Sequence, residues 1–136
     1  MAGILGTRAG MSADANLLLQ TIIFLLLIMG VAFAKKKNLP SHEKAMRAVA
    51  ALNLVSLLSV MVPSLVINLG PLLTSYPALG TTALVHAMIG GPAAIFGITW
   101  AFRKFRNIRT WMLITVALWL LGYLLGIANY VMGYIL

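Results

Sequence analysis

Residues 15–37 read ANLLLQTIIFLLLIMGVAFAKKK. The run from Ala15 to Ala34 carries no charged residue. It is about 20 residues long, the length a helix needs to cross the hydrocarbon of a bilayer. Its last four residues, Val31-Ala32-Phe33-Ala34, look like the small-residue site of a cleavable leader. Lys35, Lys36 and Lys37 come immediately after, however, and such a cluster halts translocation and holds that end inside. The stretch is therefore read as a retained transmembrane helix.

Three more apolar runs share this pattern. Ser41 is a candidate N-cap, with Glu43 in the first turn where a helix N-terminus favours an anion. The second helix is expected over 42–69, kinked by Pro63. Gly70-Pro71 and Tyr76-Pro77 bracket an expected turn. The third helix is expected over 78–100 and the fourth over 110–136. The expected architecture is all-α: one domain, 1–136, an integral membrane four-helix bundle. Trp100, Trp111, Tyr76, Tyr123 and Tyr134 are candidates for interfacial belts, whereas Trp119 falls deeper and should pack.

Composition supports this reading. Of 136 residues, 62% are hydrophobic and 9% charged, against about 25% charged in soluble domains. A soluble globular chain and a disordered one are both excluded, because such a surface could not be solvated. Cysteine is absent, which removes disulfides, thiolate metal sites and a cysteine nucleophile. The net charge of +8 points to topology and anionic lipid rather than nucleic acid. No phosphate-binding glycine loop, His-Glu-x-x-His zinc motif or Ser/His/Asp set is found, so no soluble substrate is evident and no enzyme is expected.

Ten residues are Lys or Arg. Lys35, Lys36, Lys37, Lys44 and Arg47 cluster around the first connection, and Arg103, Lys104, Arg106 and Arg109 around the third. Only Arg8 lies elsewhere. Both clusters fall on one face, which should be cytoplasmic, giving an N-out/C-out, multi-pass protein of the plasma membrane.

Small and polar residues recur at helical spacing. Gly122, Gly126, Asn129 and Gly133 share a face of the fourth helix, and His86, Gly90, Ala93, Ala94 and Gly97 a similar face of the third. Asn53, Ser56, Val60 and Pro63 form a stripe on the second. Gly90, Gly97, Gly122 and Gly126 are the expected close-packing positions. Asp14 and Glu43 are both expected outside the hydrocarbon, leaving no membrane carboxylate; that counts against a proton-coupled transporter.

His86 is the one ionisable side chain expected inside. Counting about 1.5 Å per residue puts Gln20, Met61 and Asn129 at its depth, so these four could form one polar layer. A neutral imidazole there either ligates haem iron or copper, with Met61 a candidate second ligand, or hydrogen-bonds Asn129 or Gln20 across the bundle. Met61 lies about 80° round the helix from Asn53 at ~100° per residue, which weakens it as an inward ligand. His42 sits at the opposite end, as an interfacial residue beside the basic cluster, as a ligand or proton entry group at the cytoplasmic face, or as a ligand of a second cofactor.

Several segments resemble one family. His42-Glu43-Lys44-Ala45-Met46, His86 with Gly90-Gly91-Pro92, Leu118-Trp119-Leu120-Leu121-Gly122 and Gly126-Ile127-Ala128-Asn129-Tyr130 are similar to motifs of the CtaM/YozB-like small membrane proteins. The resemblance covers roughly residues 16–134. It implies a link to haem–copper oxidase assembly, hence an accessory or assembly protein of the respiratory chain within a larger membrane complex. Together with the depth reading, it makes haem the candidate cofactor, with His86, Met61 and His42 as candidate binding residues. A further histidine that the family tends to carry before its last helix has no counterpart in residues 103–109. The alternative is a purely structural small subunit of a larger membrane complex, in contact with lipid and without a cofactor.

The charge map yields a direct test. Single cysteines replacing Gly3 or Thr74 should be labelled from outside sealed cells, and those replacing Asn38 or Asn107 should not. Labelling at Asn38 or Asn107 would overturn the topology.

Overall fold

The computed structural model describes residues 3–103 and 108–136; Lys104 and Arg106 of the second basic cluster lie outside them. The described residues form α1 (Met11–Lys35), α2 (Leu39–Ser56), a π-turn (Leu57–Met61), α3 (Val62–Ser75), α4 (Pro77–Phe102) and α5 (Ile108–Tyr134). Since α2, the π-turn and α3 run on as one rod, four helical stretches are long and apolar enough to cross a membrane: Met11–Lys35, Leu39–Ser75, Pro77–Phe102 and Ile108–Tyr134. The protein is an all-α, multi-pass four-helix bundle. Neighbours in sequence pack as hairpins, α1 on α2 and α4 on α5, while α2 and α3 also pack on α4 and α1 on α5.

Helix boundaries differ from the sequence expectation, chiefly at the start of α1, which begins at Met11 rather than Ala15, and at both ends of the second rod. The second rod starts at Leu39, and its N-cap is Asn38, not Ser41: the Asn38 side chain accepts from the Ser41 backbone N–H at 3.3 Å. Pro40 then occupies the first turn, where its missing N–H costs nothing. Glu43 is exposed and pairs with Arg47 at 2.6 Å. At the other end, Gly70-Pro71 does not break the helix. α3 continues to Ser75, and only Tyr76 separates it from α4. The Thr74 hydroxyl donates to the Gly70 carbonyl at 3.2 Å and the Pro71 carbonyl at 3.1 Å. Such local pairing lets an apolar helix tolerate proline.

The π-turn rearranges the second rod. Val62 N–H reaches back to the Leu57 carbonyl, a five-residue step that inserts about one extra residue and rotates α3 by about 100° relative to α2. The expected stripe is broken there: Asn53 and Ser56 are buried, while Pro63 is exposed. The same turn cancels most of the offset of Met61 from Asn53, and Met61 comes to lie over Gly90 of α4.

The apolar core sits toward the basic end, where Ile23, Leu27, Met46, Val49, Ala93 and Trp119 form one cluster. Close approaches are made by glycines. A Cβ on Gly80 would lie 2.7 Å from the Leu73 backbone nitrogen, so the α3–α4 hairpin closes only over a residue without a side chain. Gly97 faces the six-membered ring of Trp119, and Gly122 lies against the Gly90 backbone. Trp100 and Trp111 stack with centroids 5.9 Å apart. Tyr123, expected at an interface, instead stacks on Phe24 inside the bundle, with its hydroxyl 3.1 Å from that of Thr21.

Gly97→Ala should force the rigid Trp119 ring aside, an overpacking cost of about 1–3 kcal/mol. It should appear as a lower Tm in detergent. Gly91→Ala is the matched control, since nothing lies within 4 Å of a Cβ there. Equal melting of the two variants would contradict the packing described.

Candidate functional site

His86 lies on α4, half-buried, with its ring in the seam between α4 and α5. Its Nδ1 is 3.4 Å from Asn129 Nδ2. Asn129 is held in turn: its Oδ1 accepts from the Thr82 hydroxyl at 2.6 Å, and its Nδ2 donates to the Thr82 carbonyl at 3.4 Å. In this arrangement the amide donates to Nδ1, and a neutral imidazole carries its proton on Nε2. The Nε2 edge lies between two residues without side chains. A Cβ on Gly126 would sit 3.6 Å from Nε2, and one on Gly90 would sit 3.8 Å from Nε2 and 3.7 Å from Met61 Cε. His86, Met61, Gly90, Gly126 and Asn129 therefore converge.

Gln20 does not join them. Its Nε2 donates to Ser56 Oγ at 2.7 Å and to Asn53 Oδ1 at 3.5 Å, and Ser56 Oγ donates to Asn16 Oδ1 at 2.5 Å. The expected single polar layer is thus two sets, one between α1 and α2 and one between α4 and α5. Each hairpin satisfies its own amides, because a partner on the adjoining helix is nearer than one across the bundle.

His42 stands apart at the basic end. Its Nδ1–H donates to the Gly30 carbonyl at 2.7 Å, which leaves Nε2 as the acceptor nitrogen. Gly30 also packs on Met46, so His42 belongs to the α1–α2 contact rather than to the His86 site.

Asp14 takes a place the sequence reading did not assign it. Expected outside the hydrocarbon, it lies near the start of α1 and is fully buried within the protein. Leu5 N–H donates to Oδ2 at 2.8 Å, and the Tyr130 hydroxyl of α5 donates to Oδ1. Thr7 Oγ1 lies 2.7 Å from the Tyr130 hydroxyl and 3.5 Å from Asp14 Oδ1. The segment before α1 folds back to supply these donors, burying Ala9 as it does. With every donor aimed at it, the carboxylate is a clamp between the N-terminal segment, α1 and α5. Asp14 and Tyr130 count to the same level from the terminal ends of their helices, but depth alone does not pair them.

Among the described residues, no group of three or more His, Cys, Asp or Glu side chains could hold a metal ion. The fold and site together define a multi-pass four-helix membrane protein with one half-buried histidine centre in its terminal half. Comparison with protein-family models, curated proteins and solved structures found no match.

Tyr130→Phe should deprive Asp14 of its donor from α5, lower the Tm in detergent by several degrees and hasten proteolysis of the segment before α1. Wild-type melting and cleavage would show that the clamp holds nothing.

Proposed function

We propose that this chain is a non-enzymatic accessory or assembly protein of a respiratory haem–copper oxidase system in the plasma membrane, with His86 as the residue that meets haem. The observation that carries the reading is the His86 ring, oriented by Asn129 and presenting its Nε2 edge between Gly90 and Gly126. A metal held only by protein would need several donors. Haem would bring most of its own donors and would ask little of the protein's side chains. One imidazole with Met61 beside it meets that lesser demand.

The fit sets one condition. A ligating Nε2 must be unprotonated, so Nδ1 must carry the proton and find an acceptor. Turning the Asn129 amide over presents Oδ1 to Nδ1–H. The Thr82 hydroxyl retains an acceptor, the Leu79 carbonyl at 2.9 Å. The missing side chains at Gly90 and Gly126 make room for the imidazole ring itself, which rests against both. Haem would supply redox chemistry or serve as cargo; the chain's residues orient the imidazole and exclude water.

The second reading is a structural small subunit without cofactor. It is favoured by the existing His86–Asn129 contact, which already gives the imidazole a partner.

The optical spectrum of protein purified from haem-replete cells tests the first reading. A Soret band and a sharp reduced α band are expected, and both should vanish in His86→Leu while helicity persists. A featureless spectrum from folded wild-type protein would overturn the haem role. Deletion of the gene should lower the amount of assembled oxidase; normal assembly would overturn the respiratory assignment.

A further inference from the structure

Among the described residues α3 has a single helical neighbour. It packs on α4 and on the π-turn that leads into it, and none of its residues is buried. Lipid covers such a helix well where its surface is apolar. On α1 every exposed side chain between 15 and 34 is apolar, and on α5 every one between 111 and 132 is apolar or aromatic. α3 breaks that pattern, because Ser64 and Asn68, one turn apart, are both exposed. Other exposed hydroxyls of this rod fold back on their own helix: Ser59 donates to the Val55 carbonyl at 2.6 Å, and Thr74 to the Pro71 carbonyl at 3.1 Å. Asn68 does so only by its donor. Its Nδ2 donates to the Ser64 carbonyl at 2.9 Å and lies 3.3 Å from Ser64 Oγ, while its Oδ1 accepts from no described residue.

The depth of Asn68 makes this costly. The Leu73 backbone and Gly80 face each other near the α3–α4 turn. Counting equally down the two antiparallel helices from that contact places Asn68 level with Val85, beside His86, ~12 Å from the start of α4 at ~1.5 Å per residue. The 26 residues of α4 span about 39 Å and overshoot ~30 Å of hydrocarbon by about 5 Å at each end. Asn68 therefore lies within the hydrocarbon, where an outward amide oxygen finds a donor only on another protein chain.

We infer that the Ser64–Asn68 face of α3 is the contact between two copies of this chain, related by a two-fold axis along the membrane normal, with their Asn68 amides paired. The basic clusters insert every copy in one orientation. A closed pair of such copies has its axis along the normal, which sets each residue at the depth of its own counterpart. An amide is both donor and acceptor, so Asn68 complements itself. One Nδ2 hydrogen keeps the bond to the Ser64 carbonyl; the other, turned from Ser64 Oγ, donates to Oδ1 of the second copy. Residues 62–75 carry no charge, so two chains of net charge +8 meet there away from the basic clusters at the far end of the rod. Nothing lies within 4 Å of a Cβ at Gly70, which leaves the α3 backbone open to close approach. The contact uses no residue of the His86 site and holds with or without haem.

Because the chain has no cysteine, single-cysteine probes test the pairing in the full chain reconstituted in phosphatidylcholine/phosphatidylglycerol liposomes. Pro71→Cys shares the face of Asn68. Val66→Cys, at a residue 77% exposed, stands ~200° round the helix from Asn68 at ~100° per residue. Copper-catalysed oxidation should join Pro71→Cys chains into dimers and leave Val66→Cys monomeric. Asn68→Leu, a change at an exposed position, should weaken dimerisation measured by sedimentation equilibrium in detergent about tenfold, the scale of two interhelical hydrogen bonds. Asn68→Gln keeps an amide and should keep the dimer. A wild-type chain that stays monomeric, equal cross-linking at the two positions, or undiminished association in Asn68→Leu would overturn the contact. Capture of a different protein by Pro71→Cys in native membranes, without the dimer, would overturn the second copy as its occupant.

Discussion

Hydrocarbon offers no hydrogen bonds, so each polar group placed between the ends of these helices must find its partner within the protein. That constraint divides the bundle into two halves. Toward the termini, Asp14, Asn16, Gln20, Asn53, Ser56, Thr82, His86, Asn129 and Tyr130 interlock in small sets. Toward the basic loops, the interior is Ile23, Leu27, Met46, Val49, Ala93 and Trp119. The polar half specifies which helices meet, because a misplaced amide or carboxylate would be left bare. The apolar half supplies volume, and the buried Trp119 Nε1–H there has no acceptor among the described residues.

The π-turn lies at the border between these halves. A rod of 37 residues is about 55 Å long at 1.5 Å per residue, against about 30 Å of hydrocarbon. Its partners have 25 to 27 residues. Pro63, just beyond the turn, has no N–H to return to the preceding turn. The wide turn takes up that break and re-aims α3. α3 packs on α4 and closely approaches neither α1 nor α5. Met61 is delivered to Gly90, while Pro63 faces outward. A wide turn at this point is what allows one helix to serve Ser56 toward α1 and Met61 toward α4.

The spans, the hairpin order and the two basic clusters were legible because hydrophobic length and charge asymmetry are properties of local sequence. His86 was legible as an inward residue for the same reason: an ionisable group deep in an apolar run has few places to go. Asp14 was not legible, because its burial depends on Leu5, Thr7 and Tyr130 coming from elsewhere in the chain. Uniform helical counting misplaces Met61, since it has no means of registering one extra residue in a turn. Gln20 and Asn129 match by depth alone. Depth places residues on a level but leaves open which of two hairpins each belongs to.

α4 gathers the consequences. Gly80, Gly90, Ala93, Ala94 and Gly97 give it little bulk on its buried faces, so α3, the π-turn and α5 can approach along its length. Where a glycine meets backbone, as at Gly80, the result is a tight hairpin. Where it meets a ring, the glycine makes room for that ring: His86 rests against Gly90 and Gly126, and Trp119 against Gly97. The His86 centre and the Trp119 contact are thus the same device used twice on one helix, seven residues apart between Gly90 and Gly97. Two full turns take about seven residues, so both glycines fall on the same face of α4. The upper one meets a histidine among amides, and the lower one an indole among thioethers and methyl groups. The surroundings, rather than the glycine, decide what chemistry each site can hold.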